Sequence, residues 1–142
     1  MRVGIRMALA ATLLAGAALA CGASLAADKD DGWALRVENA VAKVGQPAAI
    51  HATLEAVNGN KVSRSYRNRL IELSAFDDAV EFEKPVVVGT VADDTSVKFD
   101  IGVTPTKPGK HVINGVFRFG FHNDGRISMV SIPLIATVEA TE

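Results

Sequence analysis

The stretch HVINGVFRFGFHNDGRISMVSIPLIATVEA, residues 111–140, decides how this chain folds. Ile113, Phe117, Phe119 and Phe121 fall on one face of an extended strand. Val130, Ile132, Leu134, Ala136 and Val138 fall on one face of the next, the period of two that marks a half-buried strand. Between them stands Asn123-Asp124-Gly125, where Asp and Gly tolerate the positive φ of a tight turn. The whole reads as a hairpin of two long strands, His111 to His122 and Ile127 to Ala140. Pro133 lies on the opposite face and argues for an edge or a bulge there, because proline donates no ladder hydrogen bond.

Working back from the hairpin, the same alternation recurs. Thr104 to Lys110 holds two prolines and a glycine and reads as a loop. Ser96 to Val103 places Val97, Phe99, Ile101 and Val103 inward. Ala92 to Thr95 is a turn, and Val80 to Val91 gives one or two short strands around Pro85. Tyr66 to Ala75 reads as a strand with Ile71, Leu73 and Ala75 inward, closed by a turn at Asp77-Asp78. Ala48 to Ala56 sets Ala48, Ile50, Ala52, Leu54 and Ala56 on one face, between Gly45-Gln46-Pro47 and Asn58-Gly59-Asn60. Trp33 to Val41 is the first strand of the folded part. No helix is expected after the N-terminal segment. Seven or eight short strands with regular turns predict an all-β, immunoglobulin-like β-sandwich, a small barrel being the alternative. There is no internal repeat or linker, so residues 27–142 form a single domain.

Residues 1–26 read as a secretory signal peptide. Arg2 and Arg6 supply the positive start, Met7 to Ala20 the apolar run, and Ser24-Leu25-Ala26 a small-residue cleavage site. The apolar run is short for a bilayer span, which takes roughly 20 residues, so no transmembrane span is expected in the processed protein. A second cut competes: Cys21 follows Ala18-Leu19-Ala20 and fits the end of a lipoprotein signal, although lipoprotein signals usually carry Leu where Ala18 stands. The expectation is an exported protein of the bacterial periplasm, soluble after cleavage near Ala26, with a membrane-anchored lipoprotein at Cys21 as the alternative.

Cys21 is the one cysteine in the chain. The folded part therefore has no disulfide, no thiol chemistry and no thiolate metal site, and roughly 115 residues can hold themselves by a core alone. Removing Arg2 and Arg6 leaves 13 Lys and Arg against 16 Asp and Glu, a net charge of about −3. That balance speaks against general nucleic-acid binding, which rests on neutralising phosphates.

Three segments carry a resemblance. Asn60-Lys61-Val62-Ser63-Arg64-Ser65-Tyr66-Arg67, Pro108-Gly109-Lys110-His111 with the strand to Phe121, and Ser131-Ile132-Pro133-Leu134 are similar to segments of one family. The chain resembles the N-terminal immunoglobulin-like domain of the bacterial thiol:disulfide interchange protein DsbD. The resemblance implies a sandwich fold and a periplasmic setting. That family carries a redox cysteine pair in and after its penultimate strand. The matching region here, Phe121-His122-Asn123-Asp124-Gly125-Arg126, has none, so electron transfer does not carry over.

The remaining residues with chemical potential are few. His51, His111, His122 and Met129 are the candidate metal ligands. His111 and His122 bracket one strand about 35 Å apart if it is straight, too far for one ion. His122 and Met129 flank the same turn and can approach, yet two ligands make a poor site, so the histidines are read as solvated or capped at strand ends and no metal or cofactor is expected. Phe117, Phe119 and Phe121 read as core, the alternative being a groove for an apolar ligand. Trp33 caps the sandwich or stands exposed as an anchor.

Lys61, Arg64, Arg67 and Arg69 form a basic cluster that could face Asp77, Asp78, Glu81 and Glu83, or bind an acidic partner. Arg64, Tyr66, Arg67, Asn68 and Arg69 are the candidate binding residues, since Tyr and Arg are favoured at interface centres. Strict alternation would turn Arg67 and Arg69 inward; the expectation is instead a bulge or turn near Asn68 that releases both to the surface as an anion-binding fork. No Ser-His-Asp signature or phosphate-cradling loop is present. The expectation is a non-enzymatic periplasmic β-sandwich that binds another protein or supports an exported assembly, with a small-ligand or metal carrier as the alternative.

Overall fold

Strands form where alternation and turn chemistry place them. A computed structural model of the chain describes residues 23–28 and 32–142. The described strands are β1 (Ala23–Asp28), β2 (Trp33–Glu38), β3 (Ala40–Lys43), β4 (Ala48–Ala56), β5 (Lys61–Val62), β6 (Arg69–Ala75), β7 (Val80–Phe82), β8 (Val87–Val88), β9 (Thr90–Val91), β10 (Ser96–Pro105), β11 (Gly109–Asn123) and β12 (Arg126–Thr141). Residues 1–22 of the expected signal, Cys21 among them, lie outside the described residues. A cut after Ala26 would fall inside β1, whose backbone pairs with β2 from Ala23 opposite Glu38 to Asp28 opposite Trp33.

The hairpin of β11 and β12 is the longest ladder, running from Asn123 opposite Arg126 to Gly109 opposite Ala140. Its two-residue loop has Asp124 at φ 47° and Gly125 at φ 77°. Positive φ at both positions is the type I′ geometry whose twist matches that of the strands.

The strands fall into two sheets. One has the order β1-β2-β4-β10-β7, with β9 also on β10; the other has β3-β12-β11-β6-β8, with β5 also on β11. Neighbours are antiparallel except β3, which runs parallel to β12. Setting β2, β4, β10 and β7 against β6, β11 and β12 is the strand distribution of an immunoglobulin-like sandwich. The first expected strand is in fact two. Asn39 breaks it, β2 staying in one sheet and β3 crossing to the other. The Asn39 side chain marks the crossing, its Oδ1 accepting from the Thr137 N–H at 2.9 Å.

The core lies between the sheets. Ile50, Leu54, Val97, Phe99 and Ile101 from the first meet Leu70, Ile113, Phe117, Phe119, Ile132 and Leu134 from the second, all 0–1% exposed. Phe99 meets Phe117 edge-on with centroids 4.9 Å apart, joining the two sheets at their centre. Each such ring contributes about 1.5–3 kcal/mol by leaving water. Phe121 is 6% exposed and packs beside Phe119 at 5.7 Å. The aromatic stripe is therefore core. Trp33 is half-buried and packs against the end of this core.

β6 departs from the expected reading. It begins at Arg69, three residues later than expected, and it is Leu70 that is fully buried, not Ile71. Glu72 has φ 56°, and the register against β11 shifts between Asn114 and Val116. Glu72 and Leu73 together oppose Gly115, so β6 carries one extra residue there, a β-bulge. The bulge flips the alternation: Leu70 points in before it, Leu73 and Ala75 after it, and Ile71 moves to the outer face. A Cβ at Gly115 would lie 3.0 Å from Leu70 Cδ1 and 3.2 Å from Leu73 Cδ2, so glycine admits both leucines.

Candidate interaction surface

The basic segment does not run on as a strand. Between β5 and β6 the chain loops across β11 at Gly120. The Ser63 N–H donates to the Gly120 carbonyl at 2.9 Å, and Asn68 Oδ1 accepts from the Gly120 N–H at 2.8 Å. The Asn68 amide Nδ2 reaches back to the Ser63 carbonyl at 3.4 Å, and the Asn68 carbonyl accepts from the Gly89 N–H at 2.9 Å. A side-chain amide thus supplies the bond that a neighbouring strand would otherwise give a buried backbone group. Asn68 is 4% exposed. It holds the surface in place from below and does not itself face a partner.

The loop turns tightly at Tyr66–Asn68, with the Asn68 N–H donating to the Tyr66 carbonyl at 3.1 Å. The turn sets Tyr66 over Gly120. A Cβ at Gly120 would sit 2.8 Å from Tyr66 Cβ, Cγ and Cδ1, so the ring rests on bare backbone that only glycine leaves open. A glycine inside a strand is the sequence mark of such an approach.

The same turn brings Arg67 and Arg69 to the surface, Arg67 exposed and Arg69 half-buried. Arg69 Nη1 donates to the Arg67 carbonyl at 3.1 Å, and its guanidinium carbon lies 6.0 Å from the Tyr66 centroid, at the outer reach of a cation–π contact. In strand register Arg69 stands across from another arginine. Its cross-strand neighbour is Arg118 of β11, directly opposite in register. Arg118 donates in turn to the hydroxyl of Ser131 on β12. Like charges directly opposite on a sheet are destabilising. Among the described residues neither arginine has a carboxylate partner.

The other basic residues sit apart. Arg64 pairs with Asp94 at 3.3 Å, both well exposed, a contact worth about 0–1 kcal/mol. Lys61 lies opposite His122. The expected opposition of this cluster to Asp77, Asp78, Glu81 and Glu83 is absent: Asp77 faces His111 instead, at the far end of the strand.

The histidines are scattered. His51 Nδ1 meets Asp100 Oδ1 at 2.6 Å on the outer face of the first sheet. His111 is 5% exposed, its ring held between Asp77 Oδ2 at 3.0 Å and the Lys107 carbonyl at 2.7 Å. It is a capped residue near the start of β11, buried rather than solvated. His122 lies opposite Ile127, and Met129 opposite Gly120. Among the described residues no three His, Cys, Asp or Glu side chains gather as a metal site would require.

Arg118 and Gly120 were not singled out by the sequence pattern. The alternation of residues 112–122 already assigns Arg118 to the outer face; its pairing with Arg69 depends on register across 49 residues, which no local signal carries.

These features define an immunoglobulin-like β-sandwich with a cationic, tyrosine-bearing patch on one sheet. No protein-family model matches the chain, and no curated protein matches it. Among solved structures, AggA, the major subunit of aggregative adherence fimbriae type I from Escherichia coli, is similar at a TM-score of 0.40 and 11% identity, over 85% of this chain and 95% of that one. At that overlap the assignment of fold rests on the strand order itself. No helix among the described residues is long and apolar enough to cross a membrane.

Proposed function

We propose that this chain is an exported, non-enzymatic β-sandwich of the bacterial periplasm that binds another protein through the outer face of its second sheet. The observation that carries this reading is the Arg69–Arg118 pair. The two arginines are cross-strand partners on one face, their guanidinium groups bonded to the Ser131 hydroxyl and the Arg67 carbonyl and, among the described residues, to no carboxylate, beside a tyrosine set on Gly120. An acidic group of a partner laid across this face would offset the two like charges and accept charge-assisted hydrogen bonds from N–H groups that the Ser131 and Arg67 oxygens leave free. Tyr66 and Arg67 flank the pair, Arg64 lies further out, and Asn68 holds the platform. Export rests on the signal-like N-terminal segment. The absence of cysteine from the folded part separates this role from thiol exchange despite the resemblance to the DsbD domain.

The test is affinity capture from cell-envelope extract with identification of what co-elutes. Replacing Arg69 and Arg118 together by alanine is expected to abolish capture and to leave the melting temperature within a few degrees, since both side chains lie outside the core and surface substitutions change stability by about 0.5 kcal/mol. Capture by the unsubstituted protein should weaken as salt rises, because surface charge pairs are screened over about 10 Å at 0.1 M. Undiminished capture by the double variant would remove this surface from consideration.

A further inference from the structure

Among the described residues the outer edge of β12 is open over most of its length. β3 covers only Val138–Thr141, and Asn39 takes the Thr137 N–H. From Arg126 to Ala136 no strand lies along this edge among the described residues. The hairpin register sets which backbone groups face it. Asn123 and Arg126 close the two-residue turn as a hydrogen-bonded pair, so even-numbered residues of β12 bond to β11 and odd-numbered ones point away. Ile127, Met129, Ser131 and Ile135 thus present N–H and C=O groups outward. Pro133 presents a carbonyl alone.

Proteins usually guard such edges with charge, and here Pro133 is the one guard. From Ile127 to Val138 β12 carries no charged side chain. Ile127 is 59% and Met129 66% exposed. Met129 lies opposite Gly120, over which Tyr66 is set, and Ser131 lies opposite Arg118. Methionine and tyrosine stand at the centre, and arginine and lysine further out. That is the layout of an interface core within a polar rim.

We propose that a second copy of this chain pairs on this edge, β12 against β12, antiparallel, with the two-fold axis at Met129. In that register Ile127 lies opposite the second copy's Ser131, and Met129 opposite its own counterpart. Every N–H from Ile127 to Ser131 finds a carbonyl. Pro133 fixes the register, since pairing centred further along β12 would set a residue without an N–H into the ladder. The turn at Asp124-Gly125 ends the pairing on the other side. The charge-free strand meets a charge-free strand, and the two Arg69–Arg118 pairs stay outside the contact. Five residue pairs, three of them hydrogen-bonded, bury less than the roughly 1,200–2,000 Å² of a stable complex, so the dimer is weak and concentration-dependent.

Position-specific cross-linking tests this. In the exported protein carrying Cys21→Ser, Met129→Cys places two cysteines at a hydrogen-bonded antiparallel pair, about 5.5 Å between Cα atoms, inside the disulfide range of roughly 4.4–6.8 Å. Mild oxidation should link it into a dimer rapidly. Ile127→Cys alone should link far more slowly, its counterpart lying about 13 Å away along the strand; so should Ser131→Cys alone. A mixture of the Ile127→Cys and Ser131→Cys proteins should form the mixed dimer. Equal linking at all three positions, or none at Met129→Cys, overturns the proposal, as does a strictly monomeric unsubstituted protein in sedimentation up to millimolar concentration. The contact is independent of the partner-binding reading: Arg69→Ala with Arg118→Ala should leave the Met129→Cys link intact while abolishing capture.

Discussion

Replacing Asn68 by alanine is expected to cost about 2–3 kcal/mol of folding stability. The cost comes from what the amide leaves behind. The Gly120 N–H and the Ser63 carbonyl lose their partners in a site that is 4% exposed. An unsatisfied buried polar group forfeits its solvation, whereas an exposed one recovers it from water. Chemical denaturation reads the loss as a lowered midpoint at unchanged slope. A second effect follows from position. Asn68 anchors the loop that carries Tyr66 and Arg69, so at temperatures where the variant is still folded it should also bind its partner less well. A stability change below about 0.5 kcal/mol, the range of ordinary surface substitutions, would mean that this residue is not the clamp described.

Phe117→Ala is expected to be more damaging, at about 3–5 kcal/mol. The ring is fully buried and meets Phe99 across the two sheets, so its loss leaves a cavity at the centre of the core. Against a total stability of about 5–15 kcal/mol for a domain, and with no disulfide in the folded part, this single change can leave the protein largely unfolded at growth temperature. Differential scanning calorimetry checks it. A melting temperature within a few degrees of the unsubstituted protein would mean that the sheets do not meet at this ring.

Much of the architecture was legible because its causes are local. Alternation and an Asp-Gly turn specify the β11–β12 hairpin without reference to the rest of the chain, and the same holds for β4 and β10. Pro133 was readable as an edge signal, and it stands on the uncovered side of β12. The misreadings share a different cause. Nothing near Asn39 announces that the strand leaves one sheet for the other; the change is stabilised by Thr137, 98 residues away. The β6 bulge answers to Gly115 on another strand. The sequence allows a turn near Asn68, yet its composition beside Tyr66 and three arginines points to an exposed residue. The turn at Tyr66–Asn68 breaks the alternation and buries the amide.

The same division runs through the interaction surface. The basic segment was visible as composition, and Tyr66 as a residue favoured at interfaces. The feature that sets the patch apart, Arg69 and Arg118 as cross-strand partners with no carboxylate on either among the described residues, comes from strand register alone. The open edge of β12 is likewise a property of topology: whether a strand has one neighbour or two is written in other segments of the chain.

The central claim is that the outer face of the second sheet meets a protein partner. A photoreactive amino acid placed in the living cell at Val88, which is exposed and lies opposite Arg69, tests it most directly, with Lys98 on the outer face of the first sheet as the control. The account predicts a discrete adduct with an envelope protein from Val88, none from Lys98, and loss of the Val88 adduct when Arg69 and Arg118 are both alanine. Adducts from Lys98 alone, or a Val88 adduct indifferent to the two arginines, would contradict it.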